Sequence, residues 1–197
     1  MAITAEQVRD LREKTGAGMM DCKRALEASG GDSEKAIEFL RQHGLAAAAR
    51  REGRATAEGI IASYVHAGGK IAVLVELNCE TDFVARTPDF QALARELAMQ
   101  VAASDPRYVR REEVPAEVIE KEREIYRAQA LQEGKPEKVV DRIVDGRLEK
   151  FYQDFCLLEQ AYVRDPERNI QALVTELGGK VGENMTVRRF VRFQVGH

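Results

Sequence analysis

Groups able to do chemistry are sparse in this chain, and their spacing speaks against most reactions. Cys79 stands beside Glu80, with His66 the nearest imidazole along the sequence. A cysteine nucleophile needs a base and an orienting group within hydrogen-bond reach. Nothing in the order of residues supplies either, so Cys79 is expected to be a buried cysteine at a strand end. Gly178-Gly179-Lys180-Val181-Gly182 evokes a phosphate loop, but the G-x-x-x-x-G-K-[ST] spacing is absent. That run is expected to stop a helix. The cysteines (Cys22, Cys79, Cys156) and histidines (His43, His66, His197) are scattered, with no C-x-x-C and no H-x-x-x-H. Neither a disulfide scaffold nor a zinc site is expected from them.

Two loops offer contact rather than bond-making. The first, Asn78-Cys79-Glu80-Thr81-Asp82-Phe83-Val84, joins the best strand of the chain to its best-marked helix. Loops held by rigid elements often carry function, and an aromatic there can serve as a preorganised wedge. Position alone favours the plainer role, with Phe83 and Val84 capping the core and Asp82 capping nearby backbone amides. The second is Thr15-Gly16-Ala17-Gly18-Met19-Met20, a tight turn followed by two methionines. Either both methionines form an adaptable binding surface, or one is core and the other lies against a neighbouring helix.

The elements that must position these loops follow from composition and pattern. In 197 residues, 44% hydrophobic and 32% charged, a core can form beneath a heavily charged surface. General disorder and low-complexity architectures are excluded. No apolar run approaches the ~18 residues of a membrane-spanning helix, and MAITAEQVRDLREK lacks a secretory apolar stretch. A cytosolic protein is therefore expected. A net charge of −3 lowers the case for nucleic-acid binding. The basic stretch near Arg50, Arg51 and Arg54 lacks the interleaved aromatics of a single-strand binder.

Three short helices are expected before Gly44. Thr4 and Gln7 form a capping box with Ile3 and Val8 as hydrophobic staple. The second helix, MMDCKRALEA, stops at Gly30-Gly31. Asp32 or Ser33 caps a third, with Ala36, Ile37 and Leu40 on one face and Gly44 at its end. Residues 46–57 read as a partly helical linker. A β-hairpin follows, turning at Gly68-Gly69, and its second strand alternates Ile71, Val73, Val75 and Leu77 on one face. Thr87 at the N-cap and Pro88 open a helix striped with Phe90, Leu93, Ala94, Leu97, Ala98 and Val101. Two antiparallel helices, broken near Gly134-Lys135-Pro136, fill Pro115 to Phe155, with Ile125 among their inward positions. Another helix, after Asp165-Pro166, runs through NIQALVTEL to Gly178-Gly179. A last strand sets Val187, Phe190, Val191, Phe193 and Val195 against Arg188, Arg189 and Arg192, read as a managed edge or a wet face. The class is α+β: a three-helix headpiece, a linker, and a small three-stranded antiparallel sheet with packed helices.

The words TGAGMMDCKRAL (15–26) and NCETDFVAR (78–86), roughly 60 residues apart, together with CLLEQAYV (156–163) and VRRFVRFQVG (187–196), resemble the elongation factor Ts family of bacteria. The resemblance spans essentially the whole chain. It implies a translation elongation factor, the guanine-nucleotide exchange factor of elongation factor Tu, acting by binding and with no catalytic residues, metal or cofactor of its own. It divides the chain into a ubiquitin-associated-like docking domain (1–45), the linker (46–57) and an α+β dimerisation core (58–197). By motif match it puts Arg12, Met19 and Met20 at docking positions on the GTPase domain. It makes Thr81, Asp82, Phe83 and Val84 the segment that dislodges the partner's Mg²⁺. The chain resembles the short form, so a homodimer and a two-plus-two complex are implied, with no nucleic acid and no membrane involved. An intersubunit disulfide is compatible with this, though no particular cysteine is singled out. Competing roles are an adaptor that only holds another protein through the headpiece, and a thiol hydrolase built on Cys79.

Overall fold

A computed structural model describes residues 3–51 and 53–196; Met1 and Ala2 of the amino-terminal stretch, residue 52 of the linker, and His197 lie outside them. The architecture is α+β: three N-terminal helices are followed along the chain by an antiparallel three-stranded sheet with packed helices. These helices are α1 (Ala5–Thr15), α2 (Met19–Ala28) and α3 (Ser33–Arg51). The Thr4 hydroxyl accepts from the Gln7 amide at 3.2 Å, and the Gln7 side chain accepts from the Thr4 amide at 2.9 Å, completing the capping box. Asp32 caps α3 by accepting from the amides of Glu34 (3.0 Å) and Lys35 (3.1 Å).

Val8, Leu11, Cys22, Ala25, Leu26 and Ala36 form the headpiece core, with Ile3, Ala17, Phe39 and Leu40 packed around it. Two expectations for α3 need correction. Ile37 is exposed, and Phe39 takes the inward place, since Ala36, Phe39 and Leu40 stand at i, i+3 and i+4. The helix also runs through Gly44 to Arg51. One glycine costs a helix about 1 kcal/mol relative to alanine, and the alanine run after it offsets that.

The strands are β1 (Glu58–Val65), β2 (Ile71–Cys79) and, far along the chain, β5 (Met185–Gln194), in the order β1-β2-β5. The hairpin turns through Gly68 and Gly69, both at positive φ (89° and 68°). That conformation suits glycine, which lacks the Cβ that would clash. Directly after β2 come the single-turn helix α4 (Asp82–Ala85) and the long α5 (Pro88–Ser104). Thr87 caps α5 by accepting from the Phe90 amide at 3.4 Å. All six stripe residues of α5 are buried, as are Val73, Val75 and Leu77 of β2.

The antiparallel pair is α6 (Ala116–Gln132) and α7 (Glu137–Phe155), separated by Gly134 and Pro136. Ile119, Tyr126 and Ala130 of α6 meet Val140, Val144 and Leu148 of α7. Ile125 is exposed, one step off that stripe, which corrects its inward assignment. A two-stranded ribbon of β3 (Ala161–Tyr162) and β4 (Asp165–Asn169) was not expected; Asp165-Pro166 belongs to its second strand. The last helix, α8 (Ile170–Val181), starts where the Asn169 side chain accepts from the Ala172 amide at 2.8 Å. It passes through Gly178-Gly179 and is closed by Gly182, whose amide donates to the Gly178 carbonyl at 2.9 Å.

The final strand departs most from expectation. Met185 and Val187 are buried, but the alternation shifts by one residue at Arg188-Arg189. Beyond it Val191, Phe193 and Val195 are exposed, while Arg192 turns inward to donate to the Ala102 carbonyl at 3.4 Å and pair with Asp105 at 3.3 Å. The wet face of this sheet thus carries exposed apolar side chains beside the Arg189–Glu76 ion pair (2.7 Å).

The chain divides into two compact units. One comprises Met1–Ile60, Asn78–Gln91 and Leu173–Thr186; the other Ile61–Leu77, Ala92–Ala172 and Val187–His197. Both loops singled out above belong to the first unit.

Candidate functional site

Thr81 ends the strand exit in extended backbone (φ −129°) and caps α4, its hydroxyl accepting from the Val84 amide at 3.4 Å. The cap is therefore Thr81 and not Asp82, which lies inside the turn and pairs with Arg86 at 2.5 Å. Successive residues of a helix point about 100° apart, so Phe83 and Val84 cannot share an environment. Val84 and Ala85 are buried and anchor the turn, while Phe83 is 83% exposed. The core-capping role thus falls to Val84 alone. A phenyl ring held out into water by a capped turn is available for contact with another surface.

The strand exit is fastened from a distant part of the sequence. One Glu183 carboxylate oxygen accepts from the amides of Glu80 (3.0 Å) and Thr81 (3.1 Å), and the other from the Thr81 hydroxyl (2.6 Å). In return the Glu80 carboxylate accepts from the Asn184 amide at 2.6 Å and pairs with Arg54 at 3.5 Å. Sequence reasoning missed Glu183, because more than a hundred residues separate it from Thr81. Its only local signal was an acid directly after a helix-ending glycine.

Cys79 lies beneath this loop, fully buried, its thiol donating to the Thr81 carbonyl at 3.2 Å. Burial, and secondarily the Glu183 carboxylate, push that thiol up to about 11. Thiolate is the reactive form, and with that pKa only roughly one thiol in a thousand is ionised at pH 8. Alkylation of native protein at pH 8, followed by mass spectrometry, is expected to modify Cys79 ~100-fold more slowly than free cysteine. The rate should climb about tenfold per pH unit up to pH 11. Free-cysteine reactivity at pH 8 would contradict the burial. His66, for its part, shares a hydrogen bond with the Tyr64 hydroxyl at 3.1 Å. Cys22 and Cys156 are also buried with free thiols. Among the described residues, no group of three or more His, Cys, Asp or Glu is arranged to hold a metal ion.

The headpiece turn is equally ordered. The Thr15 hydroxyl donates to the Leu11 carbonyl at 2.7 Å and accepts from the Ala17 amide at 3.3 Å. The buried Cys22 thiol donates to the Ala17 carbonyl at 3.7 Å. Gly16 closes α1 in the left-handed region (φ 67°), and a methyl group there would meet Lys180 Cε at 2.9 Å. Lys180 in turn pairs with Asp89 at 2.7 Å. The methionines that begin α2 both face solvent, Met19 at 46% and Met20 at 66% exposure. Neither is core. Arg12, in the last turn of α1, is exposed as well.

The site therefore consists of apolar side chains displayed on fastened turns. The family model described as "Elongation factor TS" matches residues 32–197. The chain is 62% identical to elongation factor Ts of Carboxydothermus hydrogenoformans over 194 residues, 98% of this chain and 89% of that protein. It is 60% identical to elongation factor Ts of Desulforamulus reducens over 98% of this chain and 89% of the relative. With elongation factor Ts of Moorella thermoacetica it shares 61% identity over 98% of this chain and 96% of the relative. The chain belongs to the elongation factor Ts family.

Proposed function

We propose that this protein is a cytoplasmic guanine-nucleotide exchange factor that binds elongation factor Tu in its GDP form, dislodges Mg²⁺ and lets GDP leave so that GTP can enter. The observation that carries this reading is Phe83, exposed on a capped and fastened turn. Residues 1–45 serve as the docking domain through Arg12, Met19 and Met20, and 46–57 join them to the core of 58–197. The segment Thr81-Asp82-Phe83-Val84 enters the GTPase. No catalytic group of this chain takes part.

Magnesium bridges phosphate oxygens to a GTPase, so removing it takes away much of the charge compensation that holds GDP. The factor must then bind the nucleotide-free partner more tightly than the nucleotide-bound one. Linkage makes this mutual, so nucleotide expels the factor as the factor expels nucleotide. A thousandfold faster release needs about 4 kcal/mol off the barrier. Burying one phenylalanine supplies roughly 1.5–3 kcal/mol, so docking through the headpiece contributes the rest. Stopped-flow release of fluorescent GDP from purified elongation factor Tu is expected to accelerate by two to three orders of magnitude on adding this chain. An unchanged release rate would overturn the reading.

The protein acts as a homodimer, two copies with two GTPases. Support comes from the open face of the sheet, where Ile61 and Val65 of β1, Leu74 of β2, Val191 and Phe193 of β5, and Val195 just past its end are all exposed. Exposed apolar side chains gathered on one sheet face mark an interaction surface. A two-fold axis would set this face against its own copy.

A further inference from the structure

We propose that Glu183 is a positioning residue for exchange, one that sets the pose of Phe83 without touching the GTPase itself; this rests on the reading that Thr81–Val84 drives exchange. A helix of four residues cannot hold itself together in water, so α4 needs fastening from outside. Val84 and Ala85 fasten its inner side by burial. Its entry is fastened by Glu183, which takes the Glu80 and Thr81 amides on one oxygen and the Thr81 hydroxyl proton on the other, at 3.0, 3.1 and 2.6 Å.

The third bond matters most. With its proton committed to Glu183, the Thr81 hydroxyl turns a lone pair toward the Val84 amide and caps the turn whose second residue is Phe83. Without the carboxylate, that hydroxyl rotates freely and two strand-exit amides turn to water.

The glycine run that evoked a phosphate loop is the seat of this carboxylate. A methyl group at Gly178 would stand 2.9 Å from the Glu183 carbonyl oxygen, so the link can fold back on α8 only over a bare α-carbon. Gly182 makes the reversal at φ 79°. The Asn184 amide then returns a bond to the Glu80 carboxylate at 2.6 Å, which fixes the link from the opposite direction.

The test measures fluorescent GDP release from elongation factor Tu across a range of concentrations of the full chain. Glu183→Ala is expected to lower the maximal rate ~10-fold while the half-saturating concentration stays within about twofold. Glu183→Gln keeps an oxygen for the two amides but turns an NH2, a donor, on the Thr81 hydroxyl where the carboxylate accepted its proton. Its rate is therefore expected to lie between those of wild type and Glu183→Ala, about threefold below wild type. Because Glu183 acts through Phe83, the double variant Phe83→Ala/Glu183→Ala should be no slower than Phe83→Ala alone. A wild-type rate in Glu183→Ala, or losses that multiply in the double variant, overturn the proposal. A wild-type rate in Phe83→Ala instead overturns the wedge reading, and the role of Glu183 in exchange with it. Amide hydrogen exchange at Glu80 and Thr81 reads the fastening independently of any partner. Protection there should fall at least ~10-fold in Glu183→Ala, and unchanged protection overturns the fastening itself.

Discussion

Replacing Phe83 by alanine is expected to lower the maximal rate of GDP release from elongation factor Tu by roughly 10–150-fold, the loss that follows from removing one buried phenyl ring from the transition state. The half-saturating concentration should move far less, because Arg12, Met19 and Met20 lie on a different part of the first unit and remain intact. Thermal stability should be unchanged, since at 83% exposure the ring contributes little to its own fold. Fluorescent-GDP kinetics over a concentration series separates the two parameters. A pure adaptor, which only holds the GTPase by the headpiece, would show neither change. Equal loss of rate and of docking would place the ring among general contacts and not at the exchange step.

Phe193→Asp is expected to turn a homodimer into a monomer. Phe193 is 64% exposed near the end of β5, between Val191 and Val195, on the face that also carries Ile61, Val65 and Leu74. In a two-fold interface each substitution is present twice. A desolvation cost of about 2 kcal/mol per aspartate therefore becomes ~4 kcal/mol, or ~1000-fold in the dissociation constant. Sedimentation velocity at micromolar concentration reads this directly: wild type as a dimer, the variant as a monomer with an unchanged far-ultraviolet spectrum. A monomeric wild type would remove the dimer, and a dimeric variant would move the interface elsewhere.

Local signals in the sequence were legible wherever a bond closes within a few residues. The capping box of Thr4 and Gln7, the Asp32 cap and the Thr87-Pro88 start of α5 all appear as read, because each is satisfied inside one turn of chain. The stripes of β2 and α5 were equally readable, since burial of period 2 or 3.6 leaves its mark on composition. Errors arose where neighbouring structure overrode local preference. Gly44 and Gly178-Gly179 look like stops, yet both helices continue through them. At Gly178 the missing side chain makes room for the Glu183 backbone, a demand that no local rule encodes.

By itself the sequence determined the α+β class, the headpiece, the hairpin, the two loops and the family resemblance. It did so because short-range hydrogen bonds and hydrophobic periodicity are written in consecutive residues. Only tertiary structure decided that Val84 is buried and Phe83 exposed, that Arg192 turns inward while Val191, Phe193 and Val195 face out, and that Glu183 fastens Thr81. Each of these depends on which side of an element meets the rest of the protein. A one-residue shift in a strand, or one 100° step along a helix, reverses that outcome without changing the pattern from which it was read.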